Sequence, residues 1–176
     1  MSRELWLLRH AKAKREQGME DFDRPLKKRG KRNAWELGVW MNQQDLIPDW
    51  VLSSPAKRAM STTTRLLEAM DETDLTIMRD KRLYEDMEQL LIALADCPTN
   101  AEKVLLVGHN PALEELLIHL VGLTNLPTNH EKLLATGTLA RLAMPEDWTR
   151  LSKRCAELIA IITPKSLQSE NHSDLA

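Results

Sequence analysis

Four side chains in this sequence have the types and spacing to handle a phosphoryl group. Arg9 and His10 are adjacent in Leu8-Arg9-His10-Ala11-Lys12, Arg58 closes Ser54-Pro55-Ala56-Lys57-Arg58, and His109 lies in Gly108-His109-Asn110-Pro111. Two guanidiniums brought to one crevice repel each other unless an anion sits between them, and their planar donor forks match phosphate oxygens bidentately. A neutral imidazole beside that anion is a nucleophile near pH 7, and the phosphoramidate it forms is labile to water. Such a pair of steps is what hydrolysis through a phosphorylated histidine requires.

The elements that must position these residues are legible as short apolar runs. Leu5-Trp6-Leu7-Leu8, Trp50-Val51-Leu52-Ser53, Val104-Leu105-Leu106-Val107 and Leu158-Ile159-Ala160-Ile161-Ile162 are continuous, as expected of strands buried on both faces of a mostly parallel sheet. Leu75 to Met78 is a shorter candidate, and Gly137 to Met144 alternates in the manner of a sheet-edge strand. Between them the apolar period changes to about 3.6, predicting helices around Ala34 to Met41, Met60 to Met70, Asp86 to Ala95 and Ala112 to Val121. This alternation predicts a three-layer α/β/α sandwich, with ligands bound at the carboxyl ends of its parallel strands. Arg9-His10, the segment leading to Arg58, and His109 all follow strands at that edge. Helices starting after Pro55 and Pro111 would add N–H donors and positive potential there.

Length and composition narrow the reading further. At 176 residues, 43% hydrophobic and 28% charged, the chain suits one folded domain over 1–164, followed by a polar stretch, 165–176, that reads as a mobile tail. A net charge of -2 gives no global field for nucleic acid or an anionic membrane, so an anion site must be local. The basic run Lys27 to Arg32 reads as the solvated face of a helix. Cys97 and Cys155 form no CxxC pair and read as free thiols in a reducing compartment, and no leader-like or membrane-spanning run is evident, so a cytoplasmic location is expected. No metal or other cofactor is called for, since the histidines form no HxxxH or Cys/His cluster.

The ordered motifs Leu8-Arg9-His10-Ala11-Lys12, Asp21-Phe22-Asp23-Arg24-Pro25-Leu26 running to Arg29-Gly30, Ser53 to Ala59, Leu83-Tyr84 and Val107 to Pro111 resemble those of the histidine phosphatase superfamily. The resemblance is to its short, SixA-like branch of phosphohistidine phosphatases, and it spans about residues 4 to 145. It implies a phosphoglycerate mutase-like fold without a cap domain. It also implies His10 as the nucleophile, Arg9 and Arg58 as phosphate clamps, and His109 as a second histidine donating to the phosphoryl oxygens. Asp21 and Arg24 match the branch's Asp-x-x-Arg-Pro-Leu loop, where Arg24 either adds charge at the mouth or forms an ion pair that holds the loop. Ala11 stands where many superfamily members carry Gly.

The proton donor is less evident. Larger members supply a Glu from an inserted segment, and Glu85 is the nearest candidate by order, with a dipole-stabilised carboxylate at a helix start as the alternative. Phosphohistidine leaves as a neutral imidazole once its ring is protonated, so a weak acid favours P–N or acyl phosphate substrates over an ester. A crevice without a cap suits a protruding side chain, which makes phosphohistidine on a protein the expected substrate. The alternatives are a phosphatase acting on a small phosphorylated metabolite, and a phosphate-binding module without turnover. A mutase is disfavoured because no additional Arg/Lys cluster or cap is visible in the sequence. His119 reads as structural, His130 and His172 as loop and tail, and Lys12 and Lys14 as solvated residues that widen the positive field.

Overall fold

The computed structural model describes residues 3–128 and 132–173. Its sheet contains β1 (Arg3–Arg9), β2 (Trp50–Ser53), β3 (Ile77–Arg79), β4 (Lys103–Gly108), β5 (Leu139–Met144) and β6 (Glu157–Ile162) in the spatial order β3-β2-β4-β1-β5-β6. The first four in that order are parallel, whereas β5 runs antiparallel to β1 and β6 antiparallel to β5.

The continuous apolar runs follow from burial on both faces. In β1, Leu5 and Leu7 enter one core while Trp6 and Leu8 enter the other, and in β4 Val104 and Leu106 oppose Leu105 and Val107 in the same way. The Trp6 side receives α1 (Lys28–Gln43), α2 (Lys57–Ala69) and α5 (Pro164–Ser173), through residues such as Leu37, Leu66 and Leu167. The opposite face receives α3 (Met87–Ala95) and α4 (Ala112–Val121), through Leu90, Leu94, Leu113 and Leu117. The three-layer α/β/α sandwich expected from the alternation is therefore the observed architecture.

Two expectations change. The Leu158 to Ile162 run forms the edge strand β6, with Glu157 and Ile159 exposed, whereas the alternating segment forms β5, enclosed between β1 and β6. Alternation in β5 comes from a partly covered face, on which half-buried Arg141 pairs with Glu4 of β1 at 2.9 Å. The polar stretch after Pro164 is helical up to Ser173 in place of the mobile tail. Thr163 and Ser166 cap one another's backbone N–H groups at its start, and Leu167 is buried. One apolar residue in a polar helix carries too little periodicity to be read from the sequence. Residues 174–176 lie outside the described residues.

β1 and β4 are hydrogen-bonded neighbours with Arg9 opposite Gly108, yet the helices that follow them cover opposite faces. Such a switch in direction opens a crevice at the strands' carboxyl ends, between His10 and His109.

Candidate active site

The register of β1 on β4 sets the two imidazoles side by side, with ring centroids 5.0 Å apart. His10 is buried, and its Nδ1 lies 2.8 Å from the carbonyl oxygen of Ala11, which accepts only from a protonated nitrogen. Nε2 therefore carries the lone pair, and it accepts from Nε of Arg58 at 3.3 Å. Burial, with Arg58 and Arg9 beside it, pushes the ring down to about 4, so His10 is neutral at pH 7 with its nucleophilic nitrogen facing the crevice. The Ala11 backbone is itself held, since its N–H donates to Thr62 Oγ1 at 3.0 Å and that hydroxyl donates to the Arg58 carbonyl. One turn of α2 thus aligns both the segment that follows β1 and the Arg58 guanidinium.

His109 is pushed down to about 3, mainly by burial and then by His10 and Arg58. Its Nε2 lies 2.7 Å from Oγ of fully buried Ser54, which also accepts from the Ala56 N–H. Nε2 is the one acceptor within reach of the Ser54 hydroxyl among the described residues, so that hydroxyl donates to Nε2 and the proton of the neutral ring sits on Nδ1. That atom is buried without a partner, as is Nε of Arg9. Two unpartnered donors of this kind in one crevice suit an anionic oxygen. Arg9 spends one nitrogen on the Leu134 carbonyl at 3.1 Å, and its neighbour Glu114 fixes the same loop by accepting from Asn110 and from the Leu134 N–H.

The crevice encloses about 830 Å³ and gathers Arg9, His10, Arg58 and His109 with Asp21 and Arg24. Asp21 lies across the outer face of Arg58, accepting from Nη2 at 2.9 Å on Oδ2 and from Nη1 at 2.5 Å on its backbone carbonyl. It also accepts from the Tyr84 hydroxyl and from Arg24, and these bonds, Tyr84 foremost, hold its carboxyl far below the usual range. Arg24 further donates to the Lys14 carbonyl at 2.8 Å, so the Asp21–Arg24 pair holds the loop while standing at the mouth.

Glu85 is exposed and does not line the crevice, although Tyr84 before it packs on His109. The Lys/Arg cluster that the sequence did not reveal is present at the rim, formed by Lys12, Lys14, Arg15, Lys27 and Lys132. Its members come from three separate segments, so no local run marks it. Sequence reasoning also missed Ser54, Thr62 and Glu114, whose motif neighbours were the only signal. His119 bonds the Leu151 carbonyl at 3.0 Å, a structural role, and His130 lies outside the described residues. Burial pushes the Cys97 thiol up to about 12, far from a thiolate nucleophile. Among the described residues no group of three or more His, Cys, Asp or Glu side chains is arranged to hold a metal ion, and no helix is long and apolar enough to cross a membrane.

Residues 5–91 match the family described as "Histidine phosphatase superfamily (branch 1)". A structure from Nakamurella multipartitia described as "Putative Phosphohistidine Phosphatase SixA" is 30% identical, covers 93% of this chain and 97% of its own, and superposes with a TM-score of 0.76. One from Agrobacterium tumefaciens with the same description is 29% identical, covers 93% and 99%, and also has a TM-score of 0.76. An uncharacterized protein of Mycobacterium tuberculosis is 29% identical over 90% of this chain and its own full length.

Proposed function

The chain belongs to the histidine phosphatase superfamily, and from that premise we propose that it is a metal-independent phosphatase whose preferred substrate is phosphohistidine on a protein. The observation that carries this reading is the state of His10: a neutral, buried imidazole with its Nε2 lone pair on the crevice, next to Arg58 and the unpartnered donors of Arg9 and His109.

In the first step Nε2 of His10 attacks phosphorus, an Nε2–P bond forms, and the bond to the substrate's ring nitrogen breaks. The electron pair of that bond stays on the leaving nitrogen, and the ring departs as a neutral imidazole once its other nitrogen has taken a proton from solvent. Arg9, Arg58 and Nδ1–H of His109 are disposed to stabilise the charge on the phosphoryl oxygens as it passes between the two nitrogens. In the second step water attacks the phosphorus, the Nε2–P bond breaks, inorganic phosphate departs with the water's oxygen, and His10 returns to its neutral form.

Substrate preference rests on the acid. Asp21 is held ionised by Tyr84, Arg24 and Arg58, Glu85 does not line the crevice, and Glu16 lines it only as an exposed side chain, so none is a buried acid set to protonate an alkoxide. A P–N bond dispenses with that donor. The test is phosphoenzyme trapping at neutral pH with phosphoramidate and with a phosphohistidine peptide, read by intact mass, using wild type and His10→Asn. One added phosphoryl group on wild type alone is expected. Wild-type turnover by His10→Asn would overturn the mechanism, a higher kcat/KM for a sugar phosphate than for the peptide would overturn the substrate class, and tight phosphate binding without turnover would indicate a binding module.

A further inference from the structure

The transferring phosphoryl group accounts for Arg9 and Arg58, but the crevice carries more positive charge than one phosphoryl can use. Lys12, Lys14, Arg15, Lys27 and Lys132 line its rim, all exposed, and none makes an ion pair among the described residues. The carboxylates lining the same space are Glu16 and Asp21, and Asp21 is already engaged by Arg24 and Arg58. In a chain of net charge -2, this is a strongly local excess.

Beside the rim stand two exposed aromatics, Phe22 (41%) and Tyr84 (37%), packed edge to face with centroids 5.6 Å apart. Tyr84 in turn meets the His109 ring at 5.2 Å, so this apolar shelf adjoins the reacting centre. Aromatic side chains ringed by polar charge are the composition of a protein-docking surface.

We infer that this rim docks an acidic face of a partner protein around its phosphohistidine, while the Phe22–Tyr84 shelf receives an apolar side chain of that partner. The inference rests on the phosphohistidine reading above and specifies what the recognised protein looks like. A second phosphate on a small molecule is the competing occupant, and the residue types argue against it. The phosphoryl clamp of this protein uses guanidinium forks, that of Arg58 only 5% exposed, whereas the rim is mostly lysine. Lysine ammonium groups on long, solvated stems act as point charges suited to dispersed carboxylates. Electrostatic attraction of this kind speeds encounter and is screened by salt.

The experiment uses three peptides of equal length, each carrying one histidine phosphorylated with phosphoramidate. One has Glu and Leu flanks, one replaces each Glu with Gln, and one keeps Glu but replaces Leu with Gln. Wild type is compared with the triple variant Lys14→Gln/Arg15→Gln/Lys132→Gln and with Phe22→Ala, whose altered side chains are all exposed. Each kcat/KM is divided by that of the same enzyme on phosphoramidate, which removes any general loss of activity. Wild type should favour the acidic peptide over its Gln counterpart about tenfold or more at low salt, and the gap should close at high salt. The triple variant should lose most of that preference, and Phe22→Ala should lose preference only between the Leu and Gln flanks. Equal use of the acidic and neutral peptides by wild type, or full preference retained in the triple variant, overturns the inference and leaves the substrate class standing. Turnover of phosphoramidate with none of any phosphohistidine peptide overturns the substrate class itself. If the triple variant instead loses turnover of a bisphosphorylated small molecule while treating the peptides as wild type does, the rim serves a second phosphate.

Discussion

Lowering the pH from 7 to about 4.5 should remove about 5 kcal/mol of folding stability through His10 and His109 together. Burial holds the two rings at about 4 and about 3 in the folded protein, against 6.5 for an ordinary imidazole. Below 6.5 the unfolded chain therefore takes up protons that the folded chain refuses, and stability falls as pH falls. The contribution is fully present above 6.5 and is lost on the way down to about 4 for His10 and about 3 for His109. Two pH units at about 1.4 kcal/mol each give roughly 2–3 kcal/mol per ring. Against a typical total of about 5–15 kcal/mol, that loss brings the protein close to unfolding. The assay is urea denaturation followed by tryptophan fluorescence in phosphate-free buffer, for wild type, His10→Gln and His109→Gln. Each glutamine stays neutral, so each variant should lose about 2–3 kcal/mol less than wild type over the same interval. Carboxylates held ionised in the fold, Asp21 among them, add acid sensitivity of the same sign, which cancels in the comparison. Losses equal within about 0.5 kcal/mol in all three proteins would refute the burial that holds both rings below an ordinary imidazole.

Three further outcomes follow from geometry. Glu85→Gln should leave kcat on phosphoramidate within about twofold of wild type, because the side chain is exposed and does not line the crevice; a loss of a hundredfold would restore it as proton donor. Gly30→Ala should lower stability by about 1–3 kcal/mol in thermal unfolding, since a Cβ there would lie 2.2 Å from the Lys12 carbonyl oxygen. That backbone continues directly from the His10 segment, so turnover should fall as well. Leu167→Ala should cost about 2–5 kcal/mol by urea denaturation, the penalty of a buried leucine, whereas a solvated tail would tolerate it without change.

Much of this protein was legible in one dimension because the relevant physics is local. A strand buried on both faces must be apolar without alternation, so Leu5 to Leu8 and Val104 to Val107 announce a parallel sheet, and the residues that end such strands, His10 and His109, must emerge at its carboxyl edge. Helical periodicity likewise placed α2 to α4 close to their observed ends, whereas α1 begins well before Ala34, in the basic run that carries no apolar period. Strand neighbours are not a local property, which is why β5 and β6 exchange the expected interior and edge positions. A single buried leucine cannot mark a helix as α5 does, because docking on α1 and not periodicity stabilises it.

The site divides along the same line. Residue types and order singled out Arg9, His10, Arg58 and His109 as candidates, and the structure brings all four to one crevice. Which nitrogen of His10 carries the lone pair, what Asp21 covers, whether Glu85 lines the crevice and how five cations from separate segments meet at one rim were decided by the tertiary structure alone. Hydrogen-bond direction, burial and summed charge arise only when segments far apart in the chain are brought within a few ångströms of one another.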